Sequence, residues 1–300
     1  MTLREREHKL AYGYALVAVV FWSTSASAFK ISLRSLGVLP LLLVASATST
    51  LIFLAHLAAS GKLRRLRTLT GRDYLWSAWL GLLNPFLYYV ILFKAYSLLP
   101  AQEAQPINFV WPLTLVLLSI PLLGQRIRPA SILAILVSFS GVVVIATRPE
   151  RPADILGFRF SNGWGVVLAL SSTIVWALFW IYNTKDRQDP AVRLFLNFVF
   201  ASAYISALLL ALGPRSIDTW DGLLGGIYIG AFEMGVTFLA WLKALKGART
   251  TAHVVNLIYL VPFLSLVIIR FTINEQIRPS TVIGLLLIIA GILLQKSLAK

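Results

Sequence analysis

Glu233 lies near the middle of the otherwise uncharged apolar run Gly222–Leu242, and it is the only acidic residue at such a depth in any apolar run of the chain. An ionised carboxylate is expensive to hold in a hydrocarbon-like setting, so an acid placed there is a functional candidate by default. At an offset of 149 residues Glu233 falls on Asn84, which sits at a similar depth in the run Leu75–Phe93, and Tyr88 stands one helical turn further along the Asn84 face. A carboxylate attracts an ammonium group, and an amide both donates and accepts, so the pair suits a zwitterion or an organic cation. The alternative is structural: a buried Glu and Asn satisfied by neighbouring Trp, Tyr or Ser.

Aromatic residues give the second signal. Ser172, Trp176, Trp180 and Asn183 follow i, i+4, i+8 and i+11, one helical face that mixes ring surface with hydrogen-bonding groups. A stripe facing lipid has no need of Ser and Asn, so this face reads as a cavity wall, with Trp22 and Trp111 as further deep aromatics. Rings of this kind hold apolar bodies by stacking and ammonium groups by cation–π contact. Gln105 and Asn108 are one turn apart ahead of Trp111 and Pro112, and His253 and Asn256 repeat that spacing ahead of Pro262. Each proline removes a helical hydrogen bond and is expected to kink its helix into a hinge. Glu233 and His253 are candidates for a proton relay, although His253 equally suits an ordinary interfacial histidine.

Enzymatic chemistry finds no footing. The chain has no H-E-x-x-H, G-x-S-x-G or P-loop motif, and its lack of cysteine removes thiolate metal sites and disulfides. No metal or cofactor is expected. A phosphorylated substrate would call for Lys or Arg at mid-run, where none occurs.

The segments that must position these groups are apolar runs of about 20 residues, the length that crosses a bilayer core. They recur ten times: Leu10–Phe29, Gly37–Ala59, Leu75–Phe93, Ala104–Gln125, Pro129–Thr147, Gly163–Thr184, Leu194–Gly213, Gly222–Leu242, Thr250–Ile269 and Pro279–Gln295. With 58% hydrophobic residues and a mean hydropathy of +0.80, the chain reads as an all-α integral membrane protein rather than one large soluble core. The first run is too long for a signal-peptide core, so it is kept as a span. The net charge of +15 lies almost entirely between the runs and reads as a topology signal, not a nucleic-acid surface. Most Lys and Arg fall in alternate connections, which predicts both termini in the cytoplasm of a multi-pass membrane protein. Lys62 to Arg72, with five basic residues, is also a candidate for anionic lipid head groups.

The runs form two copies. Leu80-Gly81 to Lys94-Ala95 lies over Ile229-Gly230 to Lys243-Ala244 at an offset of 149, and Ile127-Arg128-Pro129 and Gly141 meet Ile277-Arg278-Pro279 and Gly291 at 150. Five spans per copy is an odd number, so ten transmembrane helices would form two inverted five-helix repeats, residues 1–147 and 163–300, joined by an outer connector at 148–162.

The double repeat, the two Ile-Arg-Pro motifs, Gly141 and Gly291, and Asn274-Glu275 ahead of the second motif resemble the drug/metabolite transporter superfamily in its EamA branch, over nearly the whole chain. Gln125 departs from the glutamate usual there. Tyr12-Gly13-Tyr14 to Phe29-Lys30 and the aromatic richness are similar to the aromatic amino acid exporters of that branch. The resemblance implies a secondary transporter that exports aromatic and other bulky hydrophobic amino acids by alternating access. A multidrug-type exporter of lipophilic or quaternary cations is the alternative. The implied partners are the lipid bilayer and a small-molecule substrate, with no obligate protein partner.

Overall fold

Small residues decide how the first helix, α1 (Leu3–Ser35), enters the fold. Ala11, Ala15, Ala18 and Ala26 are all buried along it, and small side chains let neighbouring backbones approach closely in membrane helices. The computed structural model describes residues 3–124, 129–147, 162–184, 186–213, 220–247 and 257–298. Among them every regular element is helical. Seven helices are long and apolar enough to cross a membrane, and Leu133–Thr147, Leu257–Thr272 and Pro279–Leu294 are shorter apolar helices. Each of the ten expected runs, as far as it is described, is helical over nearly all its length.

The chain forms two compact units, Met1–Val90 with Asp186–Ile268 and Ile91–Lys185 with Ile269–Lys300. Neither coincides with a sequence repeat, because helices of one copy pack on helices of the other. In the first unit α2 (Val38–Ala59) lies along α9 (Pro190–Leu212), and Ser46 Oγ meets Ser202 Oγ at 2.9 Å between them. The helix α3 (Gly71–Gly81), closed at its start by a capping box of Thr70 and Asp73, packs on α9. Gly81 marks that crossing, since a Cβ there would strike the Asn197 carbonyl. Gly230, its counterpart at 149, lies just after α10 (Trp220–Tyr228), and a Cβ there would strike the Ala45 carbonyl on α2. Ser49 Oγ donates to the Gly230 carbonyl at 2.8 Å. Ala45 and Asn197 are themselves 152 residues apart, close to the offset of 149 that relates the two glycines.

Both crossings lead into departures from α geometry. Leu82–Leu87, which kinks at Asn84, and the π-helical segment Ile229–Gly235 lie at overlapping positions under the offset of 149, and each interrupts what the sequence presents as one continuous run. Asn84 has extended backbone (φ −146°, ψ 123°) and precedes a cis peptide to Pro85. Beyond them the chain resumes as α4 (Tyr88–Leu98) and α11 (Val236–Gly247).

In the second unit α7 (Pro129–Thr147) and the last helix, α13 (Pro279–Leu298), pack along each other. Gly141 faces Gly284, and Gly291 faces Ala134 and Ser138, so the pair runs antiparallel. Ser138 Oγ donates to the carbonyl of Ile288, 150 residues on, at 2.9 Å. The start of α5 (Ala101–Asn108) is closed by Glu275, whose carboxylate accepts from the backbone N–H of Ala101 at 3.0 Å and of Gln102 at 3.1 Å, a negative charge at the positive helix end.

The expected proline kinks take a different form. Pro112 lies in the first turn of α6 (Trp111–Leu123), and Pro262 is the second residue of α12 (Val261–Thr272) after a 3₁₀ turn at Leu257–Leu260. The first N–H groups of a helix have no intrahelical partner, so neither proline removes a hydrogen bond there. The break lies ahead of Pro112, at Phe109–Val110, where Val110 N donates to the Ile107 carbonyl. Pro106 is the proline inside α5. His253, Asn256 and nearly all of the connector 148–162 lie outside the described residues.

Candidate functional site

The π-helical turn Ile229–Gly235 buries Glu233, and both of its carboxylate oxygens accept from the Tyr89 hydroxyl, at 2.8 and 2.7 Å. Tyr89 is fully enclosed, with Tyr88 edge-on at 4.7 Å between ring centroids and Phe29 edge-on at 6.5 Å. The sequence reading selected Tyr88, one α-helical turn past Asn84. The extended backbone of Asn84 breaks the helix between the two positions, so the α-helical spacing that points to Tyr88 does not carry across it, and Tyr89 meets the carboxylate instead.

Asn84 is 1% exposed, and neither its amide nitrogen nor its amide oxygen has a hydrogen-bond partner among the described residues. An unpaired amide costs about 1–3 kcal/mol when buried. Glu233 and Asn84 are therefore not bonded to each other, although both lie where their apolar runs depart from α geometry in the first unit. Trp22 lies on α1 in the same unit, edge-on to Trp241 at 5.4 Å and to Phe238 at 6.4 Å, both on α11. Phe21 stacks on Phe232 at 4.8 Å, directly beside Glu233 in sequence. The first unit thus offers a buried carboxylate with its hydroxyl partner, a buried free amide, and aromatic rings. Chemically that is a recognition set: the carboxylate accepts, the amide donates and accepts, and nothing in it is arranged for nucleophilic attack.

The second unit holds the expected aromatic face on α8 (Gly163–Thr184). Trp176 packs edge-on to Trp111 at 6.4 Å and to Trp180 at 5.8 Å, with Phe179 beside both. Asn108 Nδ2 donates to Ser172 Oγ at 2.8 Å, which joins two of the expected polar residues across α5 and α8. Gln105 is buried on α5. The indole nitrogen of Trp180 has no hydrogen-bond partner among the described residues. Asn183 instead turns back to donate to the Phe179 carbonyl at 2.9 Å and closes on its own helix. The sequence-expected residues thus fall into two groups, Trp22, Asn84, Tyr88 and Glu233 in one unit and Gln105, Asn108, Trp111, Ser172, Trp176 and Trp180 in the other.

The model of the EamA-like transporter family matches residues 9–147 and 163–295. The chain belongs to that family. As an EamA-like protein it is a multi-pass membrane transporter and not an enzyme. Among its relatives is the aromatic amino acid exporter YddG of Ancylobacter novellus, 28% identical over 76% of this chain and 77% of that one. A "Probable terminal-alkyne amino-acid exporter" of Streptantibioticus cattleyicolor is 27% identical over 94% of this chain and 92% of its own length. A transporter of Clostridium kluyveri with no assigned substrate is 25% identical over 97% and 94%. One solved crystal structure shares the fold with a TM-score of 0.66 at 22% identity, covering 97% of this chain and 98% of its own.

Removal of the Tyr89 hydroxyl tests the carboxylate pair. In Tyr89→Phe the buried Glu233 loses its donor, so the melting temperature without substrate is expected to fall. Added phenylalanine is expected to raise it by more than in wild type, because an ammonium would then supply the partner that the buried carboxyl lacks. An unchanged melting temperature would remove the pair from any stabilising role.

Proposed function

We propose that this EamA transporter exports aromatic and other bulky hydrophobic amino acids from the bacterial cytoplasm. The observation that carries the reading is the buried Glu233–Tyr89 pair, with Phe29 and Tyr88 edge-on to Tyr89, in the same unit as the unpartnered Asn84 amide. An amino acid supplies what these groups lack: an ammonium for the carboxylate, a carboxylate for the amide N–H, and an apolar body for the rings. The names of two relatives, both amino acid exporters, support the same class.

The transport cycle is alternating access by ten spans in two inverted repeats. Its support is the antiparallel run of α7 against its repeat counterpart α13, and the close crossings at Gly81 and Gly230. The breaks ahead of Pro112 and Pro262 are the proposed hinges, and Asn256 and His253 complete the proposed polar set. Both termini lie in the cytoplasm on the charge pattern of the connections.

A single buried acid among aromatics also suits a lipophilic cation, so the second reading is a cation exporter. Competition in proteoliposomes separates the two. Free aromatic amino acids are expected to inhibit flux of labelled phenylalanine, with no effect of amino acid esters or cationic dyes. The opposite pattern would replace the amino acid reading with the cation reading.

A further inference from the structure

The connection between α2 and α3 carries five cations, and the fold uses only two of them. Lys62 and Arg65 both reach Asp189, the residue that caps α9, at 2.8 and 3.1 Å. Burial pushes the Asp189 carboxyl up, but hydrogen bonds from Lys62 and from the Ala191 and Val192 backbone outweigh it and hold the group below the usual carboxylate range. It is therefore charged at neutral pH and neutralises its side of the segment. The other acids nearby are also engaged: Asp73 with Thr70 and Gln188, and Asp186 with the buried Arg193. Arg64, Arg67 and Arg72 are exposed, and none has a hydrogen-bond or ion-pair partner among the described residues.

The segment that presents them is held firmly. Lys62–Thr68 is a 3₁₀ helix whose Leu66, together with Leu69, packs against Leu57, Ala191, Val192 and Leu196. The Tyr74 hydroxyl donates to the Leu66 carbonyl at 3.2 Å. Apolar side chains flank the free guanidinium groups: Leu63, Tyr74 and Leu75 are 38%, 37% and 74% exposed. The helical runs on either side, Val38–Ala59 and Gly71–Leu98, are each long and apolar enough to span, so the segment between them lies at a bilayer surface. A basic strip fixed at that level, with apolar residues beside it, matches an anionic lipid: guanidinium forks pair with phosphate oxygens and the apolar groups meet acyl chains.

We propose that Arg64, Arg67 and Arg72 form a binding site for the phosphate head groups of anionic phospholipids. The site lies outside the substrate-recognition residues and its occupancy stabilises the α2–α3 connection.

Purified protein in neutral detergent provides the test, with bound lipid counted by native mass spectrometry and stability followed by thermal melting. Phosphatidylglycerol is expected to remain bound and raise the melting temperature, whereas phosphatidylcholine and inorganic phosphate do neither. The variant R64Q/R67Q/R72Q is expected to bind phosphatidylglycerol about a hundredfold more weakly, at roughly 1 kcal/mol per cation. Its melting temperature in detergent alone should match wild type, because the three side chains make no contact the fold depends on. R64K/R67K/R72K keeps the charge without the planar fork and is expected to fall between the two. Equal retention of both lipids by wild type, undiminished phosphatidylglycerol binding by the glutamine variant, or a matching shift with inorganic phosphate would each overturn the assignment.

Discussion

Glu233→Gln is expected to slow phenylalanine flux about tenfold or more while the protein stays inserted and melts within a few degrees of wild type. Glutamine keeps an oxygen that accepts from the Tyr89 hydroxyl, so the packing around the pair survives. What it loses is the charge. A hydrogen bond to a charged group contributes about 1.5–3 kcal/mol, which corresponds to roughly ten- to 150-fold in binding of an ammonium. Glu233→Ala acts differently, because it leaves the buried Tyr89 hydroxyl without an acceptor and opens space beside Phe232; both flux and melting temperature should fall. If the glutamine variant transports normally and only the alanine variant melts early, Glu233 is a structural residue and the proposed ammonium site must lie elsewhere.

Gly230→Val is expected to be the most damaging apolar substitution in the first unit. Its Cβ would meet the Ala45 carbonyl and Thr48 side chain, and a carbonyl on a packed helix cannot rotate away as a flexible side-chain tip can. Overpacking of this sort costs about 1–3 kcal/mol even where neighbours give, and here backbone must move. Gly81→Val, against the Asn197 carbonyl, is expected to behave alike, since it occupies the equivalent crossing. Gly13→Ala is the control: nothing lies within 4 Å of a Cβ there, and alanine favours helix over glycine by about 1 kcal/mol. Thermal melting of the three variants checks the ordering. A Gly230→Val protein as stable as Gly13→Ala would contradict the close crossing.

The helical runs were legible because membrane spans are written as uninterrupted apolar length, and the offset of 149 singled out Asn84 and Glu233, both of which are buried. Their immediate environment was not. Periodicity assumes α geometry throughout, and the extended backbone at Asn84 interrupts it, so the spacing points to Tyr88 where Tyr89 makes the bond. The prolines misled for a related reason. Pro112 and Pro262 look like interior kinks inside long apolar runs, and only the break at Phe109–Val110 and the 3₁₀ turn before Val261 make them helix starts. Asn183 shares a face of α8 with Trp176 and Trp180 by spacing, but a short amide can bond its own helix carbonyl, and sequence spacing does not register that choice. The role of Glu275 at the start of α5 depends on a contact across about 170 residues of chain, and its place next to Ile277-Arg278-Pro279 carried no hint of a helix cap.

Flux of labelled phenylalanine into liposomes preloaded with unlabelled phenylalanine tests the central claim most directly. Liposomes containing the purified protein are expected to accumulate label faster than empty ones, with the excess lost in Glu233→Gln. Accumulation no faster than in empty liposomes, for phenylalanine and for other bulky hydrophobic amino acids alike, would contradict amino acid transport by this chain.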